Sequence, residues 1–180
     1  MVRLKALNPE QATGKTKELF NIISSKFGVI PNMMRTMGNS SAFLEGYLNF
    51  NNALSGGTLG ARTSALIALA VSEINGCNYC LAAHTYVGTT YGNLDNETIQ
   101  AARQGNSKNA KTDAILKFAL AMVNKRGHIS YTDLERLKAA GVSDGEVAEI
   151  AGHVALNILT NYFNIMADTE FDFPTATNVN

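Results

Sequence analysis

The chain has 180 residues, of which 46% are hydrophobic and 17% are charged, a composition that supports a buried core and excludes an intrinsically disordered protein. Fifteen Lys and Arg residues balance fifteen Asp and Glu residues, and no basic cluster indicates nucleic-acid binding. No signal peptide and no apolar run long enough to span a bilayer is evident, so we expect a cytoplasmic protein without membrane association.

Helical periodicity dominates the first third of the chain. Asn8 before Pro9 predicts the start of a first helix, whose apolar stripe ends at Gly28. Pro31 opens a short Met-rich segment containing Met33, Met34 and Met37, which we expect to fill the core or to contact another subunit. A second helix follows and ends at Gly56-Gly57.

The central part of the chain predicts two consecutive helices separated by a break. Thr58 can cap a helix that is apolar on nearly all sides, as expected for the middle of a bundle. Asn75-Gly76 interrupts it, and the segment from Cys77 to about Tyr91 is helical again.

The last third of the chain contains clear helix caps. Asp95 precedes one helix, and Ser130 and Ser143 each begin a capping box that is completed three residues later. Period-two alternation is nearly absent, so the predicted fold class is all-α, a single-domain helical bundle spanning residues 1–180 with an irregular tail.

The segment EINGCNYCLAAH contains both cysteines of the chain. If Cys77 begins a helix, then Cys77, Cys80 and His84 share one helical face. The Cα atoms of residues i and i+3 are about 5 Å apart in a helix, within reach of a disulfide. The helix N-terminus would favour a thiolate at Cys77, whereas His84 lies one turn beyond Cys80 and could accept its proton.

Other interpretations of this motif are possible. Buried cysteines often act as small core residues, but two of them beside a histidine favour chemistry. Haem attachment requires a histidine directly after the second cysteine, where Leu81 stands. A zinc site could use the three motif side chains with His153, His128 or Glu73 as a fourth ligand, but a second close ligand pair is missing, so we expect no bound metal and no other cofactor.

The run IALAVSEINGCNYCLAAHTYVG resembles the central motif of the carboxymuconolactone decarboxylase and alkylhydroperoxidase D-like superfamily, whose redox branch carries C-x-x-C-x-x-x-H. Residues 27–50 and 141–174 resemble the N-terminal and C-terminal parts of the same family, so nearly the whole chain is covered. The resemblance implies an alkylhydroperoxidase D-like bundle that forms homo-oligomers, trimers or hexamers, and reduces hydroperoxides or passes electrons to a peroxidase.

By the same resemblance, Cys80 attacks the peroxide, Cys77 resolves the sulfenic acid as a disulfide, and His84 relays the proton. Characterised alkylhydroperoxidases place a histidine where this chain has Tyr79, and a glutamate twelve residues before the first cysteine, where this chain has Ala65. Alanine cannot form a hydrogen bond with the His84 imidazole, so the proton relay requires a carboxylate from another position.

Glu73 is the carboxylate nearest in sequence and a candidate relay if it turns back toward His84; Glu45 is a less specific candidate. If no carboxylate reaches His84, Cys80 should titrate near an ordinary thiol pKa.

The function predicted from the sequence is therefore a cytoplasmic, thiol-dependent peroxidase with a small hydroperoxide as substrate and a dithiol or protein reductant as partner. Two alternatives are a non-enzymatic redox sensor or electron-transfer adaptor, and a decarboxylase-like enzyme that acts on another small molecule.

Overall fold

The computed structural model describes residues 2–176, and all the regular structure in that range is helical. The predicted all-α fold is confirmed. In chain order the helices are α1 (Gly14–Phe27), α2 (Asn32–Met37), α3 (Ser41–Ser55), α4 (Gly60–Ile74), α5 (Asn78–Thr90), α6 (Asn96–Arg103), α7 (Ala110–Asn124), α8 (Tyr131–Ala139) and α9 (Asp144–Ala167). No helix in the described range is long and apolar enough to cross a membrane.

Helix α4 lies at the centre of the bundle and packs against α5, α6, α7 and α9. The uninterrupted apolar run Leu66–Val71 in α4 is buried all round, because neighbouring helices cover every face. A second apolar cluster joins α1, α2 and α3, and side chains of α9 pack against it. Met34 and Met37 are buried there, as the core interpretation of the Met-rich segment predicted.

Three of the predicted helix caps are confirmed. The Asp95 carboxylate accepts a hydrogen bond from the backbone N–H of Thr98, and Ser130 and Ser143 form complete capping boxes. In both boxes a side-chain oxygen satisfies a backbone donor that the first helical turn leaves without a partner.

The predicted start of the first helix at Asn8 and Pro9 is wrong. Asn8 Oδ1 accepts from the N–H of Glu10 at 3.0 Å, which closes a local turn, and the helix begins only at Gly14. Asparagine forms such turns readily, so the same residue that predicted a helix cap instead forms an isolated turn. The predicted end at Gly28 is confirmed by its left-handed backbone.

The predicted role of Thr58 as a helix cap is also wrong. Its N–H and hydroxyl donate to the carboxylate of Glu149, and the same carboxylate accepts from the N–H of Leu59, the residue that precedes the helix. A side chain of α9 therefore provides the acceptor at the start of α4, a long-range contact that local sequence could not indicate.

The break between α4 and α5 sets the position of the cysteine motif. Gly76 has φ of 66°, a conformation that glycine adopts without strain, and the N–H of Cys77 then donates to the Ser72 carbonyl at 3.0 Å. Cys77 becomes the N-cap of α5. The chain therefore changes direction at Asn75-Gly76, and the cysteine motif begins a new helix, as predicted.

The chain turns back after α9 and crosses the start of α5. Asp168 ends the helix in a left-handed conformation, and residues 169–176, called the C-terminal segment below, are irregular. The predicted irregular tail is confirmed for these residues; its last four positions, 177–180, lie outside the described range.

Candidate active site

Cys77 and Cys80 are joined by a disulfide, and their Cα atoms are 5.2 Å apart. Both residues are buried, with 1% and 3% of their surface exposed. The predicted geometry, a cysteine pair on the first turn of a helix, is therefore present. Neither sulfur is open to a large partner in this conformation.

Each sulfur accepts one hydrogen bond, and the two donors differ in origin. Cys77 Sγ accepts from the backbone N–H of Cys80 at 3.3 Å, which is the contact expected of a residue that caps a helix N-terminus. Cys80 Sγ accepts from the side-chain amide of Asn164, on α9, at 3.4 Å. The hydrogen-bond donor to the Cys80 sulfur therefore comes from another helix, 84 residues further along the chain.

His84 lies one helical turn beyond Cys80 and is hydrogen-bonded to the side chain of Asn157. Asn157 Nδ2 also donates to the His153 carbonyl at 2.8 Å, so a contact within α9 holds the orientation of this amide. In a neutral imidazole one ring nitrogen carries the proton and the other is an acceptor.

The surroundings of His84 favour its neutral form. Burial lowers the pKa of the imidazole from 6.5 to about 4, and the hydrogen bond to Asn157 opposes that shift only in part. A neutral amide cannot stabilise an imidazolium as a carboxylate would. His84 is consequently uncharged at neutral pH and has a free lone pair.

Glu73 has a different partner from the one predicted. Its Oε2 accepts from Arg103 Nε at 2.6 Å, and the Arg103 side chain is only 4% exposed. This ion pair directs the carboxylate toward α6, because Glu73 sits at the end of α4 where the buried guanidinium needs a counter-ion. The other candidate, Glu45, pairs with Lys15 at 3.0 Å. The hydrogen-bond partner of His84 is the amide of Asn157, where the carboxylate of Glu73 or Glu45 was expected.

Ala65, the residue that the resemblance singled out for its missing carboxylate, lies among apolar side chains. Ala65 is partly buried and contacts the main apolar cluster around α4. It contributes volume and no polar group.

The C-terminal segment covers the disulfide. Phe173 and Met33 pack against the cluster formed by the two cysteines and Tyr79. The Tyr79 hydroxyl donates to Asp172 Oδ1 at 2.9 Å, and Asp172 Oδ2 accepts from the N–H of Asn32 at 2.6 Å. One carboxylate of the segment therefore links the cysteine helix to the start of α2.

Aromatic rings surround this covered region. The ring of Tyr79 lies 5.9 Å from that of Phe173 and 6.1 Å from that of Phe171, and Tyr86 lies 5.7 Å from Phe173. Burial, together with the negative charge of Asp172, raises the pKa of the Tyr79 phenol, although the N–H of Met33 opposes the shift. Tyr79 therefore stays protonated and remains a hydrogen-bond donor.

A cavity of about 230 Å³ opens at the first turn of α5. Its lining residues are Asn78, Leu81, Arg103, Phe171, Thr175 and Ala176. Asn78 and Leu81 directly follow the two cysteines in sequence, so the cavity reaches the first turn of α5 and is roofed by the C-terminal segment. Neither Cys80 nor His84 forms part of its wall.

The other two histidines lie apart from the cysteine motif. His128 is exposed in the loop before α8. His153 is buried, and its Nε2 lies 3.1 Å from Ser64 Oγ. In the described part of the chain, no three His, Cys, Asp or Glu side chains cluster as a metal-binding set.

Sequence reasoning missed the contributions of α9 and the C-terminal segment to the site. Asn157, Asn161 and Asn164 follow one another at steps of four and three residues and are all buried. Three amides at helical spacing in the second half of this helix, among mostly apolar residues, are the signal that could have indicated a polar contact surface.

Comparison with known proteins supports the resemblance. Residues 41–107 match the model of the Carboxymuconolactone decarboxylase family. These residues include α3, α4, α5 and the whole cysteine motif. No curated protein gives a significant match.

Several solved structures share the fold. An uncharacterized peroxidase-related protein from Ralstonia eutropha JMP134, described as an alkylhydroperoxidase AhpD core, has a TM-score of 0.85 at 21% identity, with 95% of this chain and 92% of that chain covered. A peroxidase-related protein from Silicibacter sp. TM1040 has a TM-score of 0.78 at 24% identity, covering 97% and 93%. The debrominase Bmp8 has a TM-score of 0.76 at 21% identity, covering 94% and 91%.

The family match and the shared fold together confirm the predicted resemblance to the carboxymuconolactone decarboxylase and alkylhydroperoxidase D-like superfamily. At these identities the solved structures establish the fold and leave the activity open.

Proposed function

Since residues 41–107 carry the carboxymuconolactone decarboxylase family pattern and hold a disulfide between Cys77 and Cys80, we propose that the protein is a thiol-dependent oxidoreductase that reduces small hydroperoxides. The observation that carries the proposal is this disulfide on the first turn of α5, with the neutral His84 one turn further on. A reversible dithiol beside a proton acceptor is the arrangement that peroxide reduction by cysteine requires.

In the first step the reduced Cys80 sulfur attacks the terminal oxygen of ROOH. The sulfur–oxygen bond forms as the O–O bond breaks, and Cys80 becomes a sulfenic acid. The proton of the Cys80 thiol passes to the leaving alkoxide, which departs as ROH. Sulfur is oxidised by two electrons, and the peroxide is reduced by two.

In the second step the Cys77 thiol attacks the Cys80 sulfenic acid. The disulfide forms and water leaves, which yields the state seen in the structure. A dithiol reductant then reopens the bond by thiol–disulfide exchange and is itself oxidised to a disulfide. The complete cycle thus consumes one ROOH and one dithiol.

The low pKa of His84 defines its role in this cycle. A neutral imidazole can accept the proton of the Cys80 thiol, and an imidazolium with a pKa of about 4 releases it readily. His84 therefore passes the proton to the alkoxide without holding it for long. Asn157, which the pKa of His84 senses as a hydrogen-bond partner, helps to hold the imidazole in place for this transfer.

The surroundings of the sulfurs favour small, apolar hydroperoxides. Tyr79, Met33 and Phe173 pack with the two cysteines in one apolar cluster. An alkyl or aryl hydroperoxide gains from such contacts, whereas a charged one loses hydration. Because the sulfurs are buried, the reductant gains access only when the C-terminal segment moves.

Reductive dehalogenation of a small aromatic compound is a second candidate function. Aromatic rings surround the disulfide, and a cysteine-to-alanine variant of the structurally similar debrominase Bmp8 is known in complex with 2,3,4-tribromopyrrole. The balanced reaction would convert a carbon–bromine bond to carbon–hydrogen, oxidise the dithiol to the disulfide, and release bromide with a proton.

The test combines thiol counting with turnover. Reduced protein, freed of reductant, is treated with one equivalent of cumene hydroperoxide, and we expect the loss of two titratable thiols. Cys80→Ser should keep its remaining thiol, and Cys77→Ser should stop at a sulfenic acid that dimedone traps. Steady-state turnover is then measured with dithiothreitol, a thioredoxin and dihydrolipoamide as donors.

Three outcomes would contradict the proposal. If peroxide oxidises both thiols but none of the donors supports turnover, the result would favour a redox sensor. Bromide release from tribromopyrrole without peroxide consumption would favour dehalogenation. Dimedone trapping in Cys80→Ser, with none in Cys77→Ser, would reverse the roles of the two cysteines.

A further inference from the structure

Helix α9 presents a row of three buried asparagines to the cysteine motif and the helix before it. Asn157, Asn161 and Asn164 are 5%, 0% and 3% exposed. Burying an amide is unfavourable unless its hydrogen bonds are satisfied. Asn161 forms hydrogen bonds with Ser72 and Asn75, at the end of α4. Asn164 forms a hydrogen bond with Cys80, and Asn157 is paired with His84.

The amide of Asn164 is oriented toward the Cys80 sulfur by a second hydrogen bond. Asn164 Oδ1 accepts from the hydroxyl of Thr169 at 2.9 Å, which leaves Nδ2 directed at Cys80 Sγ, 3.4 Å away. All three residues are buried, so bulk water does not compete for these contacts. Thr169 thus selects the orientation in which the amide offers a donor to sulfur.

A donor held against sulfur favours the thiolate over the thiol. Hydrogen bonds to charged groups are stronger than hydrogen bonds between neutral groups. Burial acts in the opposite direction and raises the pKa of a thiol. The amide therefore offsets a desolvation cost that would otherwise keep Cys80 protonated.

The two cysteines compete for the role of attacking thiol. Cys77 benefits from the N-terminus of α5, and the backbone N–H of Cys80 already donates to its sulfur. Cys80 has the Asn164 amide and the nearby His84. We propose that Asn164 is the catalytic residue that stabilises the Cys80 thiolate and makes Cys80 the attacking sulfur.

This inference rests on the proposed thiol–disulfide chemistry, but its test does not need peroxide activity. During attack, Asn164 keeps its protons: it hydrogen-bonds the sulfur as the S–O bond forms and the O–O bond breaks, and the alkoxide receives the proton of the Cys80 thiol. The measurable consequence is the pKa of Cys80 in the reduced protein.

The experiment measures the pH dependence of iodoacetamide alkylation of Cys80 in the Cys77→Ser background, where it is the remaining thiol. Asn164→Leu, which is similar in volume and has no amide, should raise the pKa of Cys80 by about one unit. Asn164→Asp, which places a negative charge beside the sulfur, should raise it further. The matched control is Asn161→Leu, which removes a buried amide of the same helix that does not touch sulfur, and its curve should be unchanged.

Two further measurements keep the inference testable if Asn164→Leu does not fold. Thr169→Val removes the hydroxyl that orients the amide and should shift the Cys80 curve in the same direction by a smaller amount.

In reduced protein with both cysteines, limiting iodoacetamide at pH 7 followed by peptide mass analysis should label Cys80 first, and the Asn164 variants should label Cys77 first. An unchanged Cys80 curve in every folded Asn164 and Thr169 variant, or first labelling of Cys77 in the wild type, would overturn it.

Discussion

The Tyr79 hydroxyl donates to Asp172 Oδ1 across 2.9 Å and fastens the C-terminal segment over the disulfide. The two residues are 93 positions apart in the chain. Tyr79 stands between the cysteines, so the residue that bonds the segment belongs to the cysteine motif itself. The other Asp172 oxygen accepts from the N–H of Asn32, which joins a third part of the chain to this contact.

Breaking this contact should speed chemical reduction of the disulfide. In Tyr79→Phe and Asp172→Ala the C-terminal segment loses hydrogen bonds of about 1 to 1.5 kcal/mol, so its open form should be about tenfold more populated. The measurement is the rate of disulfide opening by dithiothreitol. Glu170→Gln changes the charge of an exposed carboxylate in the same segment and should react at the wild-type rate. Equal rates in all four proteins would mean that the reductant reaches the sulfurs without displacing the segment.

The low pKa of His84 should make stability depend on pH. Its pKa is about 4 in the fold and 6.5 when unfolded, so between these values the unfolded chain binds more protons and stability falls as pH decreases. We expect the wild type to lose about 2 to 3 kcal/mol more than His84→Gln between pH 7 and pH 4, from urea unfolding at each pH. His128→Gln, at an exposed site, should follow the wild type. Parallel curves for wild type and His84→Gln would contradict the lowered pKa.

Asn157→Asp should restore the carboxylate that Ala65 does not provide. A negative charge at the hydrogen-bond partner of His84 favours the imidazolium and should raise the His84 pKa well above 4. The check is the titration of the His84 ring proton by NMR. Asn161→Asp, on the next turn of α9, is the control and should leave that titration unchanged. A His84 pKa unaffected by Asn157→Asp would show that the two side chains do not interact in solution.

Glu73→Gln should affect stability and leave the chemistry unchanged. Its carboxylate pairs with the buried Arg103, so the neutral side chain removes the charge from this ion pair and should cost about 1 to 3 kcal/mol of unfolding free energy. The Cys80 alkylation curve should match that of the wild type, because Asn157 is the partner of His84. A peroxide rate lowered tenfold at constant thiol content would instead return Glu73 to the proton relay.

A closed homo-oligomer is expected from the apolar side chains left on two neighbouring helices. Large exposed residues on these two helices, α5 and α9, and directly after α5 include Val87, Tyr91, Tyr162, Ile165 and Met166. Self-association would bury such side chains. Light scattering at micromolar concentration should give a mass that is a multiple of 19.3 kDa, and Tyr162→Glu should lower it. A wild-type mass of one chain would contradict this expectation.

The sequence alone was sufficient for the fold class and for the local part of the site. Helical periodicity, the capping boxes at Ser130 and Ser143, and the break at Gly76 depend on neighbours within a few residues, and each is present as predicted. The spacing of Cys77, Cys80 and His84 predicted a shared helical face for the same reason. A periodic backbone converts sequence distance into direction, so contacts within one helix can be predicted without the fold.

The tertiary structure decided which distant groups complete these local features. Glu149 supplies the acceptor that Thr58 was predicted to provide. The Glu73 carboxylate, predicted to reach His84, pairs with Arg103. Asn157 and Asn164 contact the cysteine motif from a helix more than seventy residues further along the chain. Such pairings depend on which helices pack together and on which buried polar groups need partners, a global balance of burial and hydrogen bonding. Local sequence fixes where a side chain points on its own helix, and packing fixes what it meets there.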